Sequence, residues 1–167
     1  MATYHHGDLR AAVLSAAWKM VEKEGVEGLS VREAARRAGV SHNAPYRHFA
    51  GRDALIAALV AEGFDELKKA LENRAGRELG EAYVTFALAQ PQRFRLMFAS
   101  GRVDEELKTR FSNAFSHLGT DSAAAGAAAW SLVHGLASLI LEGQLEASEV
   151  RRVIGAIRFA SSTQRSA

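Results

Sequence analysis

Apolar residues recur along this chain at helical spacing, and no stretch alternates as a half-buried strand requires. Leu9, Val13, Ala16, Ala17 and Met20 share one stripe of a segment from Asp8 to Glu24, and Gly25 and Gly28 predict its end and the turn after it. Val31, Ala34, Ala35 and Ala38 then repeat at i, i+3, i+4, i+7. Ser30 stands where an N-cap belongs, with Glu33 three positions later to complete a capping box. Gly39 predicts a left-handed stop, Val40 a plug in the angle between two helices, and Ser41 a second N-cap opening a very short helix. Pro45 removes one backbone donor near that start, so the helix is expected to begin strained or as a 3₁₀ turn. The small Ala34 and Ala35 permit close approach. Two helices joined by a glycine turn in this way form a helix-turn-helix, a unit that enters the DNA major groove by the N-terminal end of its second helix.

The rest of the chain repeats the helical period. Asp53–Asn73 carries Leu55, Leu59, Phe64, Leu67 and Leu71 on one side, enough to tie the first unit to the C-terminal remainder of the molecule. A helix from Glu78 to about Gln90 is expected to break at Pro91, ahead of an aromatic-rich segment at Phe94–Phe98 and a turn at Ser100-Gly101. Three further helices are expected, over Asp104–Leu118, Asp121–Glu142 and Glu146–Ser161. The short link around Gly143 predicts that the last two pack antiparallel, and the polar tail from Ser161 is expected to fray. The fold class is therefore all-α. Residues 1–52 are read as a three-helix helix-turn-helix domain and residues 53–167 as a second helical domain.

At 167 residues and 48% apolar, the chain is long and apolar enough for a packed interior. It has no cysteine, which excludes disulfides and thiolate metal sites. The N-terminal residues lack the apolar core of a signal peptide, and the most apolar stretch, Ala123–Leu141, is interrupted by Gly126, Ser131, His134, Gly135 and Ser138. The expected location is the cytoplasm, with no membrane contact. The net charge of +2 is unevenly divided: residues 1–52 hold eight Lys/Arg against five Asp/Glu, whereas the remainder holds thirteen against fourteen. The positive excess sits with the helix-turn-helix, as expected for a face that meets phosphate.

The exposed residues of that unit match the chemistry of base edges. Asn43 can read adenine with two hydrogen bonds, the Ala44 methyl can meet a thymine methyl, and Arg32 taken alone reads as a solvated arginine on a helix face. Arg36 and Arg37 could approach phosphate but read by default as a solvated face, and Phe49 reads as core. His5 and His6 form a poor chelate and are placed in an N-terminal arm or simply at the surface. No phosphate loop, nucleophile elbow or metal-ligand spacing occurs, so neither a catalytic residue, a metal nor a cofactor is expected. His134, inside an apolar helix, reads more readily as a satisfied core or interface histidine than as a base.

The opening Tyr4-His-His-Gly-Asp-Leu-Arg10, the run Ser30-Val-Arg-Glu-Ala-Ala35, and Ala38-Gly-Val-Ser41 followed by Tyr46-Arg-His-Phe49 together resemble the DNA-binding domain of the tetracycline-repressor (TetR) family. The likeness is dense over residues 4–64. Trp130-Ser-Leu-Val-His-Gly135 resembles a Trp-x-x-x-His-Gly element of one TetR subgroup. The resemblance implies that Arg32 reaches a base, guanine being the usual target of its fork, and that Tyr46 and His48 bind phosphate, with Arg52 adding a cation; the full DNA-facing set becomes Ser30, Arg32, Ser41, His42, Asn43, Ala44, Tyr46, Arg47, His48 and Arg52. It also implies a homodimer on a near-palindromic operator, with residues 53–167 as the effector-binding and dimerisation domain and a pocket there for a small apolar or amphipathic effector, with Phe94, Phe98, Phe115, Trp130 and His134 as walls. Two other readings stay open. One keeps DNA binding but makes the aromatics plain core with no effector; the other is an enzyme that borrowed the fold.

Overall fold

The computed structural model describes residues 9–74, 76–99 and 123–156. Within them are α1 (Leu9–Glu24), α2 (Val31–Arg37), a 3₁₀ turn (Ala44–Arg47), α3 (Arg52–Leu71), α4 (Gly76–Ala89), α5 (Pro91–Ala99), α6 (Ala123–Leu141), a second 3₁₀ turn (Ala147–Glu149) and α7 (Val150–Ala156). There is no strand among the described residues, and the all-α expectation holds. The expected helix Asp104–Leu118, with Phe115, lies outside the described residues, as do the N-terminal arm and the polar tail.

Helix boundaries follow local chemistry. Ser30 caps α2, its Oγ accepting the Glu33 amide at 3.1 Å. The reciprocal half of the capping box does not form, because the Glu33 carboxylate is taken by Arg36 and Arg37. Gly39, at φ 71°, ends α2: its amide donates to the Arg36 carbonyl and the Val40 amide reaches back to Ala35, the paired bonds of a Schellman turn. Gly143, at φ 72°, ends α6 by the same pair of bonds, to Ile140 and Leu139. Pro91 does not merely break a helix; it opens α5. A proline at the first helical position gives up an amide that would have no partner there, and the Phe94 amide donates to the Gln90 carbonyl at 2.9 Å.

One apolar core runs through the described residues, from Val13, Trp18 and Met20 of α1 to Val133 and Ile154 at the other end. The five apolar residues expected along the long helix, Leu55, Leu59, Phe64, Leu67 and Leu71, are all buried on α3. α3 therefore packs on α1 at one end and on α4 and α5 at the other. Gly63 makes its crossing with α5 close, since a Cβ there would stand 2.8 Å from the Met97 sulfur. The last two helices, expected to pack antiparallel, both bear mainly on α4. Gly80 of α4 is the reason. With no side chain, it lets Val133 of α6 and Ile154 of α7 settle onto the same stretch of helix, where a Cβ would lie 3.2 Å from Val133 and 3.5 Å from Ile154.

Candidate nucleic-acid interface and aromatic cluster

The second helix of the motif is a single 3₁₀ turn, and its geometry follows from Pro45. The residue before a proline is biased away from helical backbone, and the proline itself donates nothing. The chain accordingly tightens: the Ala44 amide donates to the Ser41 carbonyl, Tyr46 to Asn43, and both His48 and Phe49 to Pro45. Ser41 is thus not a side-chain cap. The N-cap position belongs to Asn43, whose side chain makes no capping bond and remains available. Pro45 and Phe49 point into the core and anchor the turn, while Ser41, His42, Asn43, Tyr46, Arg47 and His48 are exposed around it and Ala44 is half-buried.

The Gly39–Ser41 turn separates two open hollows. One, of about 970 Å³, is lined by Leu9, Asn43, Ala44, Arg47 and His48 together with the turn itself. The other, of about 500 Å³, is lined by Ser30, Arg32, Glu33, Arg36, His42, Val40 and Ser41. The fold therefore gathers nine of the ten DNA-facing candidates: eight line these two hollows, and Tyr46 is exposed on the adjoining 3₁₀ turn. Arg32 and Arg47 form no ion pair with any described residue, so their guanidiniums are uncommitted. Arg52 is different. Its Nε donates to the Leu29 carbonyl at 3.0 Å and its Nη2 to the Val26 carbonyl at 2.8 Å, so this guanidinium braces the link between α1 and α2.

A second constellation lies in the other half. Phe94 and Phe98 of α5 and Trp130 and His134 of α6 come together, with the His134 ring 4.5 Å from Phe98, 5.3 Å from Phe94 and 5.7 Å from Trp130. The fifth expected wall, Phe115, lies outside the described residues. The sequence reading missed Tyr83, at the centre of this group. Its hydroxyl accepts from the Trp130 indole N–H at 3.2 Å and lies 2.8 Å from His134 Nδ1. An indole N–H can only donate, so the hydroxyl accepts from Trp130 and can donate its own proton to Nδ1, which fits a neutral imidazole protonated at Nε2. Burial acts in the same direction: it pushes the His134 pKa below its ordinary value and the Tyr83 pKa above its own. The signal in the sequence was a tyrosine on the buried stripe Leu79-Tyr83-Phe86-Ala87, where a hydroxyl needs a partner.

A polar joint, unsignalled by any local pattern, links the two regions. Trp18 of α1 donates from Nε1 to Glu62 of α3 at 2.7 Å, Arg93 of α5 lies over the Trp18 ring, and the same guanidinium pairs with Glu66 of α3. No group of three His, Asp, Glu or Cys able to hold a metal occurs among the described residues. None of their helices is long and apolar enough to cross a membrane.

Comparison with known proteins agrees with this architecture. Residues 13–59 match the family described as bacterial regulatory proteins, tetR family, and residues 77–154 match the tetracyclin repressor-like C-terminal domain. Among solved structures, a protein of unknown function from Rhodococcus sp. RHA1 is 33% identical, with 93% of this chain and 94% of that one covered and a TM-score of 0.76. A TetR family transcription regulator from Marinobacter aquaeolei VT8 is 18% identical over 89% of this chain and 93% of its own, with a TM-score of 0.65. NalD of Pseudomonas aeruginosa, a secondary repressor of the MexAB-OprM multidrug efflux pump, is 20% identical over the same shares, with a TM-score of 0.61. No curated protein matches the chain. With both its N-terminal and its C-terminal regions matched in order, and a 33% identical relative spanning nearly its whole length, the chain belongs to the tetracycline-repressor family of DNA-binding transcription regulators.

Proposed function

We propose that this protein is a ligand-responsive repressor that binds a near-palindromic operator as a homodimer and releases it when a small apolar or amphipathic effector enters the half formed by residues 53–167. Residues 1–52 carry the reading: Asn43, Ala44 and Arg32 meet base edges, while Tyr46, His48 and the neighbouring hydroxyls hold phosphate without reading sequence. A recognition element of one 3₁₀ turn reads only a few base pairs. Useful specificity then needs two copies about one helical turn of DNA apart, roughly 34 Å.

The outer face of α6 supports a dimer. Val133, Leu136 and Ala137 are consumed by the chain's own core, but Leu132 and Leu139 remain exposed on the same helix, and Leu145 comes after them in the turn that ends it. Large apolar side chains left in water on one face are what a symmetric interface covers.

The observation that carries the effector is the cluster of Phe94, Phe98, Trp130 and His134 around Tyr83. Three aromatic rings and one neutral imidazole suit a flat, largely apolar ligand with a hydrogen-bonding atom. The same ring contacts also suit a solid core with no effector, the second reading. Titration separates them: aromatic compounds that quench Trp130 in the full chain and weaken its grip on operator DNA support the switch. Compounds that bind without moving DNA affinity, or a cluster that admits none, favour the effector-free regulator. We place the protein in the cytoplasm, where its DNA is.

A further inference from the structure

α2 presents three arginines, Arg32, Arg36 and Arg37, and its structure divides them. Arg37 is held by two carboxylates from two elements. Its Nε donates to Glu33 at 2.8 Å, and its Nη2 donates to both oxygens of Glu24, at the end of α1, at 2.8 and 3.0 Å. Arg36 has Glu33 alone, through Nε at 2.8 Å and Nη2 at 2.7 Å. The Arg36 side chain is 72% exposed against 30% for Arg37. Arg36 also lines the hollow shared with Arg32, Ser41 and His42, which Arg37 does not. Helical spacing explains the split: residues 32 and 36 are four apart and stack on one face, and residue 37 is turned a further ~100° away.

Glu33 uses only one edge of the Arg36 guanidinium. Five N–H donors are fixed in its plane, so the Nη1 edge stays open to a second anion while the first pair remains intact. The first pair also sets the direction of that open edge, because a two-bond fork fixes the plane. Hydrogen bonds from Arg36 and then Arg37 hold the Glu33 pKa down at about 2, so the carboxylate keeps this orienting role across the working pH range.

We infer that Arg36 is a phosphate contact of the DNA-reading face, aimed by Glu33, and that Arg37 is a brace between α2 and α1 that touches no DNA. The inference rests on the proposed use of this face to bind DNA. It assigns a positioning role to an acidic residue that would otherwise only repel the phosphate backbone.

The test measures affinity of the full chain across a KCl series, for its selected operator duplex and for a random duplex of equal length. Arg36→Gln should weaken both duplexes by the same factor and reduce the slope of log K against log salt by about 0.9 for each subunit bound, about 1.8 for the dimer. Arg36→Lys should restore most of the slope, since the charge returns. Arg37→Gln should leave the slope unchanged and lower the thermal midpoint instead. An unchanged slope in Arg36→Gln, or an equal loss of slope in Arg37→Gln, overturns the division. A wild-type chain that binds neither duplex with a salt dependence overturns the DNA-binding reading itself, and the inference with it.

Discussion

The guanidinium of Arg93 lies over the indole of Trp18, with its Cζ 4.0 Å from the ring centroid. Both side chains are buried, and they come from α5 and α1, elements separated by the whole of α3 and α4. The π face compensates a cation that burial would otherwise penalise, Glu66 supplies the opposite charge, and Glu62 takes the Trp18 N–H. The buried Nε of Arg93 has no hydrogen-bond partner, so the ring is what that side of the guanidinium has. α5 is pinned at its other edge too, where Arg95 donates to the Leu141 carbonyl at the end of α6 at 2.9 Å. One nine-residue helix therefore joins the DNA-reading head, the aromatic cluster through Phe94 and Phe98, and the exposed α6 face.

Truncating this joint should be costly. Arg93→Ala strips the Trp18 face and leaves Glu66 without its buried partner, and urea unfolding at fixed protein concentration should show a loss of about 2–3 kcal/mol. Arg93→Lys should lose roughly half as much, keeping the charge but not the planar stack. Equal midpoints for wild type and Arg93→Ala would show that the joint contributes nothing.

The His134–Tyr83 hydrogen bond predicts a pH dependence. Burial holds the folded-state pKa of His134 below its ordinary 6.5, so under mildly acidic conditions the unfolded chain takes up a proton that the folded chain refuses. Stability should be flat above pH 7 and should fall as pH drops through 6.5 toward the depressed value. Thermal melts of wild type and His134→Gln between pH 8 and 5 check this, since glutamine can bond to Tyr83 without titrating. The variant's curve should lose part of the acid-side decline; identical curves would remove His134 as its source.

Gly39 isolates the cost of backbone conformation. A Cβ placed there meets no atom within 4 Å, so Gly39→Ala adds no clash, yet it forces an L residue to φ 71°. The expected loss is about 1–2 kcal/mol. Gly39→Asn should lose less, because asparagine tolerates this region better. Chemical unfolding of the two variants ranks them, and an alanine variant as stable as wild type would mean that the turn rearranges.

The helix-turn-helix was legible because its signals are local. A cap, a left-handed glycine and a proline each act within four residues, so Ser30, Gly39 and Pro45 announce the geometry that they produce. The aromatic cluster was half legible: Phe94, Phe98, Trp130 and His134 could be grouped, but Tyr83 lies 47 residues from Trp130 and 51 from His134, a separation that periodicity cannot bridge. The Arg93–Trp18 stack and the brace made by Arg52 were illegible for the same reason. Arg52 reads in sequence as one more cation on a basic face, and only the fold brings the carbonyls of Val26 and Leu29 to it. The proximity of α6 and α7 to α4 hinged on Gly80, whose missing side chain carries no periodic signal.

Reading and bracing should separate in mutants. Asn43→Ala should cost about 1–3 kcal/mol on the operator and little on random DNA, as expected when a base contact is lost. Arg52→Ala should weaken both and also lower the melting temperature, since two backbone carbonyls lose their donor. Fluorescence anisotropy with the two duplexes, alongside a melt, checks both variants. Equal losses on the two duplexes for Asn43→Ala would remove it from the base-reading set.

On the proposed function, the exposed residues around the Ala44–Arg47 turn read DNA in two symmetric copies. Selection of bound sequences from a random duplex pool, then footprinting of the winner, measures this directly. One enriched, near-palindromic site is expected, protected over two half-sites whose centres lie about one helical turn apart. No enrichment, or a single unpaired half-site protected by one protein copy, would contradict it.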